Sequence, residues 1–100
     1  MLEDLIWCVK MERLEYKWGY ELILWKDNKF CVKLIHIDYG YETELHKHLY
    51  KREVIVDEKL NTFFINIGEP HILSCYKGKN FTEFIEVSTK DSIFDKIRLE

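Results

Sequence analysis

At 100 residues, with 47% hydrophobic and 15% aromatic residues, the chain has one domain's length and the apolar content of a packed core, which excludes a disordered segment. Its formal net charge of −3, with no Lys/Arg cluster, argues against a nucleic-acid or anionic-membrane partner. The longest apolar runs, at 21–25 and 63–67, are too short to span a bilayer.

The amino terminus, MLEDLIWCVK, carries acids where an export signal carries bases, so a cytoplasmic protein is expected. Leu2, Leu5, Ile6 and Val9 fit a helical stripe, while LIWCVKM fits a strand. Residues 1–14 read as an amino-terminal extension suited to an interface, with Met11 an alternative start, and 15–100 as the domain proper. From there on, short runs of Val, Ile, Phe, Tyr and Trp are broken by KDNK, DYG, DEKLN, GEP and YKGKN. Closely spaced turn signals of this kind mark an all-β domain. Strands are expected at Tyr20–Trp25, Phe30–Ile37, Glu42–His48, Glu53–Asp57, Thr62–Ile67, His71–Tyr76 and Phe81–Ser88. Ser92 with Asp95 forms a capping box ahead of Ile97. Cys8, Cys31 and Cys75 are far apart and include no C-x-x-C pair, so they read as reduced thiols.

Side chains two apart on a strand share a face. His46 and His48 therefore project together, with Lys47 opposite. A connection over Leu49–Arg52 can return the chain and set Glu53 beside the imidazoles, and His71 follows a Gly-Glu-Pro turn. Three imidazoles and one carboxylate suit a single divalent transition metal: Zn, Fe, Mn, Ni or Co. An H-x-H pair alone is common without a metal, and a lone His after a turn is usually a surface residue. The specificity lies in the whole pattern.

That pattern, G-x5-H-x-H-x4-E over Gly40, His46, His48 and Glu53, resembles the first cupin motif, and G-x2-H over Gly68 and His71 resembles the core of the second. YKWGYELILWKDNKFCVKLIHIDYG and FTEFIEVSTKDSIFDKIRLE resemble small cupins related to mannose-6-phosphate isomerase, with their W-G-x-E and C-x-K-x-L segments; the similarity runs from Glu15 to Glu100. The resemblance implies a cupin jelly-roll β-barrel with a metal inside one end, held by His46, His48, Glu53 and His71. It also implies a phosphorylated sugar as ligand and a metal-dependent sugar-phosphate isomerase or epimerase. No dedicated base is evident, Tyr50 and Glu86 being the candidates. The alternative is a non-catalytic cupin of the small kind phages encode, binding or sequestering a sugar phosphate or nucleotide.

Leu60 stands where the first motif closes on Gly, and Asn66 and Cys75 stand where the second has Pro and Asn. Between REVIVDEK and LNTFFINIGEPH there is no room for the usual two-stranded hairpin, so a turn at 57–61 should join Glu53–Asp57 directly to Thr62–Ile67. The loss leaves an unpaired edge near the metal, to be covered by a second subunit in a homodimer or by residues 1–14. Trp18, Tyr20 and Tyr50, with Tyr39 and Tyr41, are candidates for the ligand mouth, packing being their plainer role. Lys33 and Lys47 are candidates for a phosphate, though solvated strand positions are the default. Cys75 reads as a thiol near the metal or a small buried hydrophobe, His36 as a core or edge His, and Glu86 as an inward carboxylate behind the metal.

Overall fold

The β-branched and aromatic runs are strands in the computed structural model, which describes residues 12–89 and 95–99. They are β1 (Glu12–Tyr16), β2 (Gly19–Lys26), β3 (Phe30–Asp38), β4 (His46–His48), β5 (Glu53–Asp57), β6 (Thr62–Ile65), β7 (Phe81–Thr89) and β8 (Lys96–Arg98). No helix occurs among the described residues. Six strands form one antiparallel sheet in the order β1-β2-β3-β7-β5-β6, and β4 pairs with β8 in a second.

Local chemistry fixes the joints. In the β2–β3 turn, Asp27 Oδ1 accepts from the backbone N–H of Lys29 and of Phe30, each at 2.7 Å. In the β5–β6 turn, Asp57 Oδ1 accepts from the N–H of Lys59 and of Asn61, each at 2.9 Å. Tyr76 Oη donates to Asp57 Oδ2 at 2.7 Å. This bond leads the causes that hold the Asp57 carboxyl down to about 2. The hairpin runs in register from Glu53↔Ile65 to Val56↔Thr62, so the strands flanking the missing hairpin are neighbours, joined by one turn. Gly19, from the W-G-x-E segment, has φ +148° and passes so close to β3 that a Cβ there would lie 1.9 Å from the His36 carbonyl oxygen.

Inward positions of β3, β5 and β7 alternate with outward ones, as the strand period requires. Trp18, Ile35, Ile37, Ile55 and Phe84 form the buried core, with Tyr16, Ile65, Leu73 and Cys75 packed against it. Each such side chain stabilises the fold by about 1.5–3 kcal/mol when fully buried.

Four expectations are corrected. The 42–48 and 71–76 runs are not full strands: only His46–His48 is regular, with isolated bridges Glu42↔Ser74 and His46↔His71. The backbone bonds of the pair persist, as in Thr43 N–H to Leu73 O at 2.8 Å. Regularity fails where Leu73 N–H donates to the Thr43 hydroxyl instead of a carbonyl. Second, β6 ends at Ile65, two residues short of Ile67, where the Gly68 turn begins. Third, residues 12–14, expected in the extension, belong to β1, which pairs with β2 from Glu12↔Ile23 to Tyr16↔Gly19. Fourth, residues 96–98 are a strand where the capping box suggested a helix start. Residues 1–11, with Cys8 and Met11, and Ser92 lie outside the described residues.

Candidate metal centre

β4 and the bridge at His71 bring three imidazoles together because the strand period puts His46 and His48 on one face and the His46↔His71 bridge sets the third beside them. The available nitrogens of His46, His48 and His71 all lie within 4.8 Å of one another. Each Nδ1 is tied to an oxygen that can only accept: His46 to Glu44 O at 2.7 Å, His71 to Glu69 O at 3.0 Å, His48 to Asp95 Oδ2 at 3.0 Å. Those partners place the proton on Nδ1, so each neutral ring presents the Nε2 lone pair, the tautomer a metal needs. Burial, joined by the nearby charges of His71 and Lys96, pushes His46 down to about 4, which keeps it neutral at ordinary pH.

Glu53 opens β5 and enters the same space from the facing sheet. Its Oε1 lies 2.6 Å from His48 Nε2 and its Oε2 3.6 Å from His71 Nε2. Oε1 is buried and makes no hydrogen bond. With the proton on Nδ1, His48 Nε2 and Glu53 Oε1 face each other lone pair to lone pair at that distance, which a second proton on His48 or a bound cation relieves, so the residues fit a divalent metal. Burial works to raise the Glu53 carboxyl, but the His48 contact and the Lys51 charge outweigh it and hold it down as an anion. Three imidazole nitrogens with this carboxylate form a hard–borderline donor set of the kind first-row divalent metals take.

The centre opens on a cavity of about 290 Å³. Its walls carry Trp18, Lys33 and Glu86, together with Tyr16, Glu21, Thr43, Lys51, Leu73 and Lys96. Lys33 Nζ is 3.7 Å from Glu21; Lys51 Nζ is 3.6 Å from Glu53 and 3.3 Å from Glu86. Burial pushes the Glu86 carboxyl up. Tyr16 and Trp18 stack at 4.6 Å on one wall.

Three pocket candidates lie elsewhere. Tyr20 is on the outer face, stacked on His36, whose other ring face meets Phe81. Tyr50 is 76% exposed and only its backbone N–H serves the site, through Asp95 Oδ1 at 2.6 Å. Cys75 packs against the apolar core, its Sγ 3.5 Å from Lys79 O. The period-2 rule had a signal for Lys51, two residues before Glu53 and on its face. Nothing in the sequence marked Asp95 as the partner of His48.

No protein-family model matches the sequence, and no curated protein matches it. Among solved structures the chain is similar to a sugar phosphate isomerase of the cupin superfamily from Silicibacter pomeroyi, with a TM-score of 0.57 and 16% identity over 82% of this chain and 73% of that one. At that identity the likeness shows the fold. The chain is an all-β, minimal cupin-like jelly roll in which three His could hold a metal.

Proposed function

We propose that the protein is a metal-dependent isomerase or epimerase of a sugar phosphate, with Glu53 as the fourth ligand beside His46, His48 and His71. The observation that carries this reading is the convergence of three Nδ1-tethered imidazoles on a cavity that also holds Lys33, Lys51 and Lys96. The cupin-superfamily sugar phosphate isomerase among its structural neighbours supports it. A bound divalent metal supplies Lewis-acid polarisation of a carbonyl or vicinal hydroxyl.

The chain's own residues do the rest. The three lysines offer ammonium donors to a phosphate, each lying within 3.7 Å of a carboxylate: Lys33 of Glu21, Lys51 of Glu53 and Glu86, and Lys96 of Glu44. Tyr16 and Trp18 give a sugar face a flat wall. Of the two candidate bases, Glu86 lines the cavity and Tyr50 does not, so Glu86, 3.3 Å from Lys51 Nζ, is the group placed to move a proton between neighbouring carbons.

The test has two parts. After loading and desalting, wild type should hold about one metal per chain and His46→Ala/His48→Ala far less; equal, low contents would show the site to be vestigial. Loaded wild type should then interconvert at least one member of a sugar-phosphate panel, with Glu86→Gln losing turnover but keeping metal. A second reading, a sequestering cupin, is favoured by the direct β5–β6 turn, which removes a wall that the usual hairpin would supply. Metal binding and ligand retention through purification, without turnover, would select it.

A further inference from the structure

A sheet with one face on a core is usually apolar inward and polar outward. Around the metal end this chain reverses that order. Glu21, Lys33, Glu53 and Glu86 face the cavity. The positions that alternate with them and lie on the other face are Leu22, Val32, Leu34, Val54, Val56, Ile85 and Val87, of which Leu34 is buried at 3% exposure. The register aligns one row across five strands: Trp25↔Val32↔Val87↔Val54↔Phe64. Its ends and centre are open to solvent, Trp25 at 60%, Phe64 at 72% and Val87 at 40%, and Phe30, on the same face, at 52%.

We propose that a second copy of this chain docks face to face on this outer surface of the six-stranded sheet, making a homodimer about a two-fold axis through Val87. Three features favour a second copy over another partner. First, the row is its own complement. Rotation by half a turn about Val87, its middle member, sets Trp25 of one copy opposite Phe64 of the other and Val32 opposite Val54, as an isologous interface requires. Second, the row from Trp25 to Phe64 itself holds no ionisable side chain, Arg52 lying beyond it on one side and Arg13 on the other, so closing it strands no charge. Arg13, Glu15, His36 and Glu83 lie together at the other end of the same face and form a polar rim. Third, the area suffices. At roughly 150–250 Å² for a whole aromatic side chain, the exposed parts of Trp25, Phe30 and Phe64 offer roughly 280–460 Å². The aliphatic row and the rim bring this toward the roughly 800 Å² per partner of a stable interface. The edge opened by the missing hairpin is not the contact in this arrangement, and each cavity remains the work of one chain. The proposal does not rest on the activity proposed above.

Sedimentation of the full chain from low to high micromolar concentration tests it. The expected result is a wild-type dimer whose dissociation constant rises ~100-fold or more in Val87→Glu, where two carboxylates meet at the axis, and in Phe64→Ser. Far-UV circular dichroism and metal content should stay at wild-type values in both, and Glu15→Lys, on the polar rim, should leave the dimer intact. A wild-type monomer at high micromolar concentration overturns the proposal, whether solvent, another protein or another part of this chain then covers the face. A dimer indifferent to both Val87→Glu and Phe64→Ser also overturns it.

Discussion

Along β3, β5 and β7 the inward face changes character within one strand period. Ile35 and Ile37, Ile55, and Phe84 meet Trp18 in an apolar end, while Lys33, Glu53 and Glu86, each two residues from one of these, meet the three His at a charged end. Backbone geometry is the same at both ends, so the strands position side chains without regard to what they carry. The apolar end gains stability from burial. The charged end loses it, because each desolvated ion needs a partner to offset its cost. The pairs Lys33–Glu21 and Lys51–Glu53 supply part of that offset. Stability and chemistry are thus separable along one set of strands, and the separation can be attacked at either end.

Gly19→Ala should break both ends at once. Its Cβ would sit 1.9 Å from the His36 carbonyl, at a φ of +148° that other residues rarely adopt. β2 must then part from β3, which carries inward residues of both ends. A loss of about 4 kcal/mol or more is expected in urea unfolding, at the severe limit for a single substitution. A loss under about 1 kcal/mol would mean that β2 and β3 do not approach as closely as this register has them.

Ile55→Ala should damage the apolar end alone. Ile55 is fully buried in the core, and its truncation is expected to lower stability by about 2–5 kcal/mol. Metal stoichiometry should not change. Glu53→Gln, two residues earlier, should do the converse, with little loss of apo stability and a large loss of metal. Equal effects of the two on both quantities would show that the ends are not separable.

The sequence made one end far more legible than the other. Strand alternation and turn residues revealed β2, β3, β5 and β7 to within a residue or so, and the β5–β6 hairpin followed from the short DEKLN joint. Spacing also brought out His46, His48 and Glu53, which sit on or beside one turn of chain. What it could not show was anything set by the pairing of distant segments. Asp95 reaches His48 only because β8 lies beside β4, and three residues of strand carry too little pattern to announce that pairing. Tyr20 and Tyr50 failed as pocket residues for a related reason: composition suggests aromatics at a ligand mouth, but the face each takes is decided by register and by the turn that follows β4.

Asp95→Asn sharpens the contrast by removing charge from the charged end while keeping the shape. Asp95 is buried, accepts from Tyr50 N–H and from His48 Nδ1, and is the one carboxylate among the three Nδ1 partners. A neutral amide should make His48 a weaker donor and lower metal affinity by about 10–100-fold. Calorimetric titration measures this directly. The stabilisation that metal confers should shrink with it, while His46→Ala/His48→Ala abolishes that stabilisation altogether. Unchanged affinity would show that Asp95 serves only to dock the carboxyl-terminal strand.

The smallest effect expected is a gain, at the turn beyond the apolar end. Leu60 has φ +66° at the position where the first cupin motif closes on Gly, and its side chain is exposed, so it recovers nothing by packing. The turn holds it there through Leu60 N–H to Asp57 O at 3.0 Å and Asp57 N–H to Asn61 O at 3.0 Å. A left-handed conformation costs a residue with a Cβ about 1–2 kcal/mol. Glycine removes that cost but adds about 0.4–1 kcal/mol of chain entropy to the unfolded state. The balance for Leu60→Gly is a net stabilisation of about 0.5–1 kcal/mol, a rise of about 2–8 °C in melting temperature for a domain this size. Leu60→Ala keeps the Cβ and should give none of it. Because the turn lies at the far end of β5 from Glu53, metal affinity should be the same in all three proteins. A Leu60→Gly protein no more stable than Leu60→Ala would mean that the turn adopts another conformation in solution. The directness of the β5–β6 joint, on which the open cavity wall depends, would then need another support.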